Sequence, residues 1–254
     1  MLGIVGGVVL VAVIAIVLAV VLGSGGGSGG GSGTVTKSDL QGLPATGSAT
    51  SPAAMDGAAD ANDLFKGIPQ KGLVLGKPSA PVEMQMFIDV QCPVCQDYEI
   101  NSLPTIVQKY IRTGKVQLHL QPWAFLGGPG SQSFSGRLGL IAASFQNRGY
   151  EYAKVLYDNQ QTENTGWLTG REMATIAASV NGLNLSRWQV DTNSSEPKSI
   201  ASAVDKAAAQ KKVSGTPTIY VGRAGDTLHL VGTPGSEATL QETENAINAS
   251  LASS

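Results

Sequence analysis

Cys92 and Cys95 are the residues of this 254-residue chain whose type and spacing point most directly to chemistry. They are its two cysteines, and Pro93 and Val94 separate them. On a helix this spacing places the two sulfurs one turn apart, where they can form a reversible disulfide. A disulfide across so short a loop restricts the unfolded chain little, so a purely stabilising role is disfavoured. The pair therefore indicates either redox chemistry or half of a metal site.

The metal alternative lacks ligands within this chain. A closed zinc site needs four ligands, and the remaining candidates of the usual type are His119 and His229. These histidines fall in separate predicted strands. We therefore predict no metal and favour thiol-disulfide exchange, while a zinc site shared between two chains is the alternative that the sequence leaves open.

A predicted strand and a predicted helix flank the cysteine pair. Residues 82–90 alternate and then run apolar, as a central strand does, and a helical stretch follows the cysteines to about residue 112. Cys92 thus lies at the first turn of a helix, where unpaired N–H groups and the helix dipole favour its thiolate. Pro93 suits the first helical position. We expect Cys92 to be the exposed, reacting sulfur and Cys95 the inner, resolving one.

The remaining pattern places this strand and helix in an α/β domain. Residues 116–121 alternate as a second strand, and the stretch at about 131–212 is helical. Two strands at 218–221 and 227–231 form a predicted hairpin, and a helix at 236–251 closes the chain. This order predicts a thioredoxin-like fold with an inserted helical domain.

The first quarter of the chain predicts a membrane anchor and a flexible linker. Residues 2–22 are an uncharged apolar run long enough to cross a bilayer as one transmembrane helix, and longer than the apolar part of a cleaved signal. Residues 23–61 are rich in Gly, Ser and Ala and predict a flexible linker. The folded domain is predicted at 62–251. We expect a single-pass protein of the cell membrane with its catalytic domain outside the cytoplasm, as in the periplasm.

The charge balance gives no reason to expect a nucleic-acid partner. The chain has 17 basic and 19 acidic residues and a formal net charge of −2. Without a basic excess, electrostatic attraction to a phosphate backbone is absent.

Three phrases make residues 62–251 resemble one known family. They are IPQKGLVLGKPSAPV at 68–82, FIDVQCPVC at 87–95 and VSGTPT at 213–218. In this combination the domain resembles the DsbA-like proteins of the thioredoxin family, bacterial envelope proteins that make or rearrange disulfides.

The resemblance implies roles for residues around the cysteines. Pro217 is expected to be a cis-proline that faces the pair, and Thr216 to offer backbone hydrogen bonds to a client peptide. The best-known oxidants of the family carry Pro-His between the cysteines, whereas this chain carries Pro93 and Val94. Valine neither charges nor hydrogen-bonds the Cys92 thiolate, so the disulfide is expected to be less oxidising. Asp89 is expected to cap the turn or lie in solvent, with proton transfer as the alternative.

The resemblance also implies a function. The chain is expected to form disulfides in client proteins that carry cysteine thiols, without a cofactor, and to be reoxidised by a quinone-linked membrane protein. Two alternatives remain at this point. One is a reductase or isomerase with reversed electron flow, and the other is a tethered peptide-binding or chaperone module with little redox turnover.

Overall fold

The structure is a computed structural model that describes residues 34–233 and 235–253. The predicted anchor at 2–22 and the first part of the predicted linker, 23–33, lie outside these residues. Within the described part of the chain, no helix is both long and apolar enough to span a membrane. Membrane attachment therefore stays a prediction from the sequence.

One mixed six-stranded sheet forms the centre of the fold. Its strands are β1 (Gln70–Lys71), β2 (Val74–Leu75), β3 (Val82–Ile88), β4 (Val116–Pro122), β5 (Thr218–Arg223) and β6 (His229–Leu230). Their order is β1-β2-β4-β3-β5-β6, with β3 parallel to β4 and every other pair antiparallel. The four strands expected from the sequence are confirmed. The β1–β2 hairpin was not predicted, because two-residue strands are too short to show alternation.

Nine α-helices surround the sheet in the described residues. They are α1 (Ala58–Phe65), α2 (Pro93–Asn101), α3 (Leu103–Ile106), α4 (Gln132–Ser144), α5 (Gly149–Asp158), α6 (Gly170–Ala178), α7 (Leu185–Asn193), α8 (Ser195–Lys211) and α9 (Leu240–Ala252). A π-helix, Val107–Ile111, continues α3, and a 3-10 helix spans Lys37–Leu40. Helices α4 to α8 lie between β4 and β5, where the helical insertion was predicted.

The last helix begins later than its sequence pattern predicts. It starts at Leu240 rather than at residue 236, because Thr239 caps it. The Thr239 hydroxyl accepts a hydrogen bond from the Glu242 amide at 3.2 Å, and the Glu242 carboxylate accepts one from the Thr239 amide at 2.8 Å. This reciprocal pair is the capping box that defines a helix start.

Both faces of the sheet are covered by helices. Met84 and Met86 of β3 are fully buried in the main core, which includes residues of the insertion. Phe87 belongs to a second cluster, with Val204 and Ala208 of α8. A strand that is covered on both faces has a continuous apolar sequence instead of strict alternation. The end of β3 has such a continuous apolar sequence.

The strand register fixes which chain segments meet at one edge of the sheet. Ile88 at the end of β3 pairs with Pro122 at the end of β4. Phe87 pairs with Thr218 at the start of antiparallel β5. The segment after β3 and the segment before β5 therefore emerge at the same edge. At this edge Cys92 follows β3, and Pro217 directly precedes β5.

The folded domain begins earlier than predicted. Residues 34–61 were expected to continue the linker, but Val35 is fully buried and its carbonyl accepts hydrogen bonds from Gln189 and Asn193 of α7. Farther on, the Gly47 amide donates to the Leu183 carbonyl at 2.8 Å. Residues 34–61 are mostly small or polar, a composition that is typical of coil. Hydrogen bonds between their backbone and the helical insertion nevertheless hold them in place.

Candidate active site

Cys92 ends the turn after β3 and is the N-cap of α2. Its sulfur accepts a hydrogen bond from the Cys95 amide at 3.4 Å, and Pro93 occupies the first helical turn. The predicted placement at a helix start is confirmed. Cys92 is less open than expected, with 5% of its surface exposed, while Cys95 is fully buried. Cys92 is thus the sulfur that a second molecule can reach.

Hydrogen bonding and burial separate the acidities of the two thiols. The hydrogen bond from the Cys95 side chain is the largest influence on Cys92 and, with backbone hydrogen bonds from Cys95 and Val94, lowers the pKa of Cys92 from 9.0 to about 6, against the opposing effect of burial. Burial raises the pKa of Cys95 well above 9.0, and the neighbouring Cys92 adds to this rise. In the reduced pair the proton therefore stays on Cys95, and Cys92 is the more acidic thiol and the one better suited to act as a nucleophile.

The segment before β5 lies directly against Cys92. The Thr216–Pro217 peptide bond is cis, as the family resemblance implies. The Cys92 thiol donates a hydrogen bond to the Thr216 carbonyl at 3.2 Å. The structure thus brings together Cys92, Cys95, Thr216 and Pro217, four residues that are up to 125 positions apart in the sequence.

A surface cavity of about 220 Å³ adjoins this pair of segments. Val94, exposed over 36% of its surface, forms one wall. Residues 215–218 and 235–237 form the other walls. The cavity thus lies between Val94 of the cysteine motif and the cis-proline Pro217.

Asp89 caps the turn into α2, which is one of the two positions expected for it, but it is buried and does not lie in solvent. One carboxylate oxygen accepts hydrogen bonds from the Gln91 amide at 2.9 Å and the Ser133 hydroxyl at 2.7 Å. The other accepts one from the Leu126 amide at 2.7 Å. These contacts hold the turn between β3 and α2.

The sequence analysis missed a buried carboxyl group behind the pair. Glu99 lies on α2 one turn after Cys95, and it is buried. Burial raises the pKa of Glu99 from 4.5 to about 8, while the nearby Lys154 opposes this rise. The signal that could have found it is the spacing of four residues, which puts Glu99 on the same buried helix face as Cys95.

A tyrosine of the insertion also contacts the turn. The Tyr157 hydroxyl donates a hydrogen bond to the Asp89 carbonyl at 2.9 Å. The same carbonyl accepts one from the Cys92 amide at 3.0 Å. No local pattern could have predicted this contact, because 68 residues separate Tyr157 from Asp89.

The two histidines lie in strands, as the sequence analysis expected. His119 is in β4, where it lies 3.7 Å from a Glu83 carboxylate oxygen, and His229 is in β6. Across residues 34–233 and 235–253, no three His, Cys, Asp or Glu side chains are grouped in a way that could hold a metal ion.

This chain is similar in sequence to proteins named for disulfide bond formation. "Probable disulfide bond formation protein D" of Bacillus cereus is 27% identical over 161 residues, which cover 63% of this chain and 73% of the relative. "Disulfide bond formation protein D" of Bacillus subtilis is 26% identical over 165 residues, covering 63% and 72%.

Solved structures confirm the thioredoxin-like fold with its helical insertion. Oxidised BdbD from Bacillus subtilis superposes with a TM-score of 0.60 at 21% identity, over 71% of this chain and 93% of that one. DsbA of Chlamydia trachomatis gives a TM-score of 0.58 at 21% identity, over 70% and 90%. The sequence model of the thioredoxin family matches residues 69–229, which include the cysteine pair and the cis-proline. The chain belongs to the thioredoxin family.

Proposed function

We propose that this chain forms disulfides in client proteins outside the cytoplasm through Cys92 and Cys95. The chain is a thiol-disulfide oxidoreductase, a class supported by its family and by relatives named as disulfide bond formation proteins. One observation supports assigning this activity to Cys92 and Cys95. A cysteine with its pKa lowered to about 6 caps a helix beside a fully buried second cysteine.

The proposed cycle starts from the Cys92–Cys95 disulfide. A client thiolate attacks the Cys92 sulfur, the bond between the two cysteines breaks, and Cys95 leaves as a thiolate that takes up a proton. A second client thiolate then attacks the client sulfur of this mixed disulfide. Cys92 leaves as a thiolate, the client gains a disulfide, and its two electrons remain on the Cys92–Cys95 dithiol.

The acidity of Cys92 supports the direction of transfer. A stabilised thiolate is a good leaving group, and it favours the reduced enzyme over its disulfide. The dithiol form is therefore stable, and the disulfide form oxidises clients. The side chain of Val94 supplies neither charge nor hydrogen bond to this thiolate, and only the Val94 backbone helps to lower the Cys92 pKa. This side chain therefore favours the second candidate, a reductase or isomerase in which reduced Cys92 attacks client disulfides.

The predicted surroundings complete the cycle. Regeneration of the disulfide needs an electron acceptor, for which we propose a quinone-linked membrane protein. Anchoring through residues 2–22 and a tether would raise the concentration of the enzyme near such a partner.

For clients, the cavity between Val94 and Pro217 is the proposed binding groove, where Thr216 offers backbone hydrogen bonds to an extended peptide.

A trapping experiment tests the proposal. In the full chain, Cys95→Ser cannot form the internal disulfide, so its Cys92 thiolate attacks a client disulfide, the S–S bond of the client breaks and one client thiolate leaves. Without the Cys95 thiol to release the bound client, clients should accumulate as mixed disulfides on Cys92. Cys92→Ser is the matched control, because it keeps Cys95 and should trap nothing. Disulfide-linked clients that disappear on reduction are expected for Cys95→Ser alone. If Cys95→Ser carries no such adducts in cells, exchange through Cys92 is the wrong account.

A further inference from the structure

Three buried polar residues surround the turn that leads into Cys92. They are Asp89 and Gln91 on the turn itself and Ser133 on α4 of the helical insertion, and we call them the turn cluster. We propose that the turn cluster positions the Cys92 sulfur, so that the insertion controls the reactivity of the redox pair. This inference rests on the proposed function and assigns it positioning residues outside the cysteine motif.

The Asp89 carboxylate ties three chain segments together. It accepts hydrogen bonds from the Gln91 amide on its own turn, from the Ser133 hydroxyl on α4 and from the Leu126 amide in the loop after β4. The distances are 2.9, 2.7 and 2.7 Å. The carboxylate therefore holds the turn against the insertion.

The Gln91 side chain extends the cluster to the loop after α5. Its amide nitrogen donates to the Ser133 hydroxyl at 3.2 Å, and its amide oxygen accepts a hydrogen bond from the Asn164 backbone at 3.1 Å. The Gln91 carbonyl accepts a further bond from the Gln160 side chain at 3.0 Å. Gln91 directly precedes Cys92, so each of these bonds restricts the residue that places the sulfur.

Close packing brings α4 against the same turn. Gly136 lies where a Cβ atom would come within 2.8 Å of Val90 Cγ2 and 2.5 Å of Leu168. A glycine at this position permits the approach. One turn earlier on α4, Ser133 can thereby reach Asp89. The turn is thus fixed by packing on Val90 and by hydrogen bonds on both sides of it.

The position of the turn matters because the Cys92 sulfur has partners on two separate elements. It lies 3.4 Å from the Cys95 amide on α2 and 3.2 Å from the Thr216 carbonyl before β5. Hydrogen bonds weaken steeply once distance and angle are lost. Of these two, the Cys95 amide donates to the sulfur and stabilises the thiolate, whereas the Thr216 carbonyl accepts a hydrogen bond from the neutral thiol. A turn released from the insertion would move the sulfur away from the Cys95 amide and reduce the stability of its thiolate.

Ser133→Ala in the full chain tests the inference. It removes a donor to Asp89 and an acceptor for Gln91, so the Cys92 pKa, read from ultraviolet thiolate absorbance against pH, should rise. The equilibrium with a glutathione redox buffer should shift toward the Cys92–Cys95 disulfide by about three- to tenfold. Ser135→Ala is the matched control, because this buried hydroxyl donates to the Ser131 carbonyl of its own helix at 3.0 Å.

Either readout can overturn the inference. If Ser133→Ala lowers the stability of the fold but matches Ser135→Ala in both thiolate titration and glutathione equilibrium, the turn cluster serves folding alone. Should Ser133→Ala fail to fold, the same two measurements are made on Gln91→Met, whose side chain has a similar volume. An unchanged thiolate titration for Gln91→Met also refutes the positioning role. The titration needs no client. Failure of the proposed function would instead appear as no glutathione exchange by the unsubstituted chain.

Discussion

The acidity of Cys92 should depend mainly on the thiol of Cys95. The Cys95 side chain is the largest influence that lowers the Cys92 pKa to about 6. Cys95→Ala removes this donor and leaves the Cys95 amide in place. A hydrogen bond to a charged group contributes about 1.5–3 kcal/mol, which corresponds to a rise of about one to two units in the Cys92 pKa. The thiolate fraction at pH 7 should then fall from about nine tenths to between about a half and a tenth.

Alkylation of Cys92 across a pH series measures this change. The reduced full chain is treated with iodoacetamide, and the midpoint of the rate against pH gives the Cys92 pKa. The midpoint is used rather than the rate itself, because the intrinsic nucleophilicity of a thiolate falls with its pKa. In the unsubstituted chain, Cys95 should contribute little to the signal, since it is fully buried and its pKa is raised.

Cys95→Ser is the matched control for this experiment, because a hydroxyl at the same position can still donate to Cys92. Its midpoint should lie between those of the unsubstituted chain and Cys95→Ala. Equal midpoints for the unsubstituted chain and Cys95→Ala would refute the assignment of Cys95 as the main donor. A midpoint near 9 for the unsubstituted chain would refute the lowered acidity altogether.

Three further predictions concern the cysteine motif, the buried acid and the N-terminal segment. Val94→His should stabilise the Cys92 thiolate, lower its alkylation midpoint and shift the glutathione equilibrium toward the dithiol; an unchanged equilibrium would mean that Val94 does not weaken oxidation. Because the pKa of Glu99 is raised to about 8, folding stability should fall as pH rises between about 5 and 8. Urea unfolding should show this fall as about 3 kcal/mol in the unsubstituted chain, and Glu99→Gln should abolish it. Identical pH profiles of the two proteins would contradict the raised pKa of Glu99. Val35→Ala should lower the free energy of unfolding by about 2 kcal/mol, whereas no loss would show that residues near Val35 do not pack on the insertion.

The sequence predicted the parts of the site that depend on neighbouring residues. A strand pattern, two cysteines and a proline at the helix start lie within one short window, and the local physics of a helix N-terminus was enough to place Cys92. The meeting of Cys92 with the Thr216–Pro217 segment came from the family resemblance. Its physical basis is the pairing of β3 with β5, which no local pattern contains.

Long-range contacts account for what the sequence analysis missed. The helix α7 has no clear helical pattern of its own within the predicted helical stretch, because Leu185, Trp188 and Thr192 are its buried positions among mostly polar residues, and Val190 is exposed. The sequence of residues 34–57 predicts coil, because the hydrogen bonds that order this segment go to α6, α7 and the turn between them, which are remote in sequence. Asp89 likewise could not be placed from its neighbours, because Leu126 and Ser133 are remote in sequence.

The reduction potential of the Cys92–Cys95 pair tests disulfide formation most directly. The full chain is equilibrated with glutathione buffers of graded ratio, and the fraction of dithiol is measured after acid quenching and thiol labelling. We predict a potential more oxidising than that of thioredoxin, about −270 mV, because the Cys92 thiolate is stabilised in the reduced form. A potential at or below that of thioredoxin, or a pair that does not exchange with glutathione, would contradict the account.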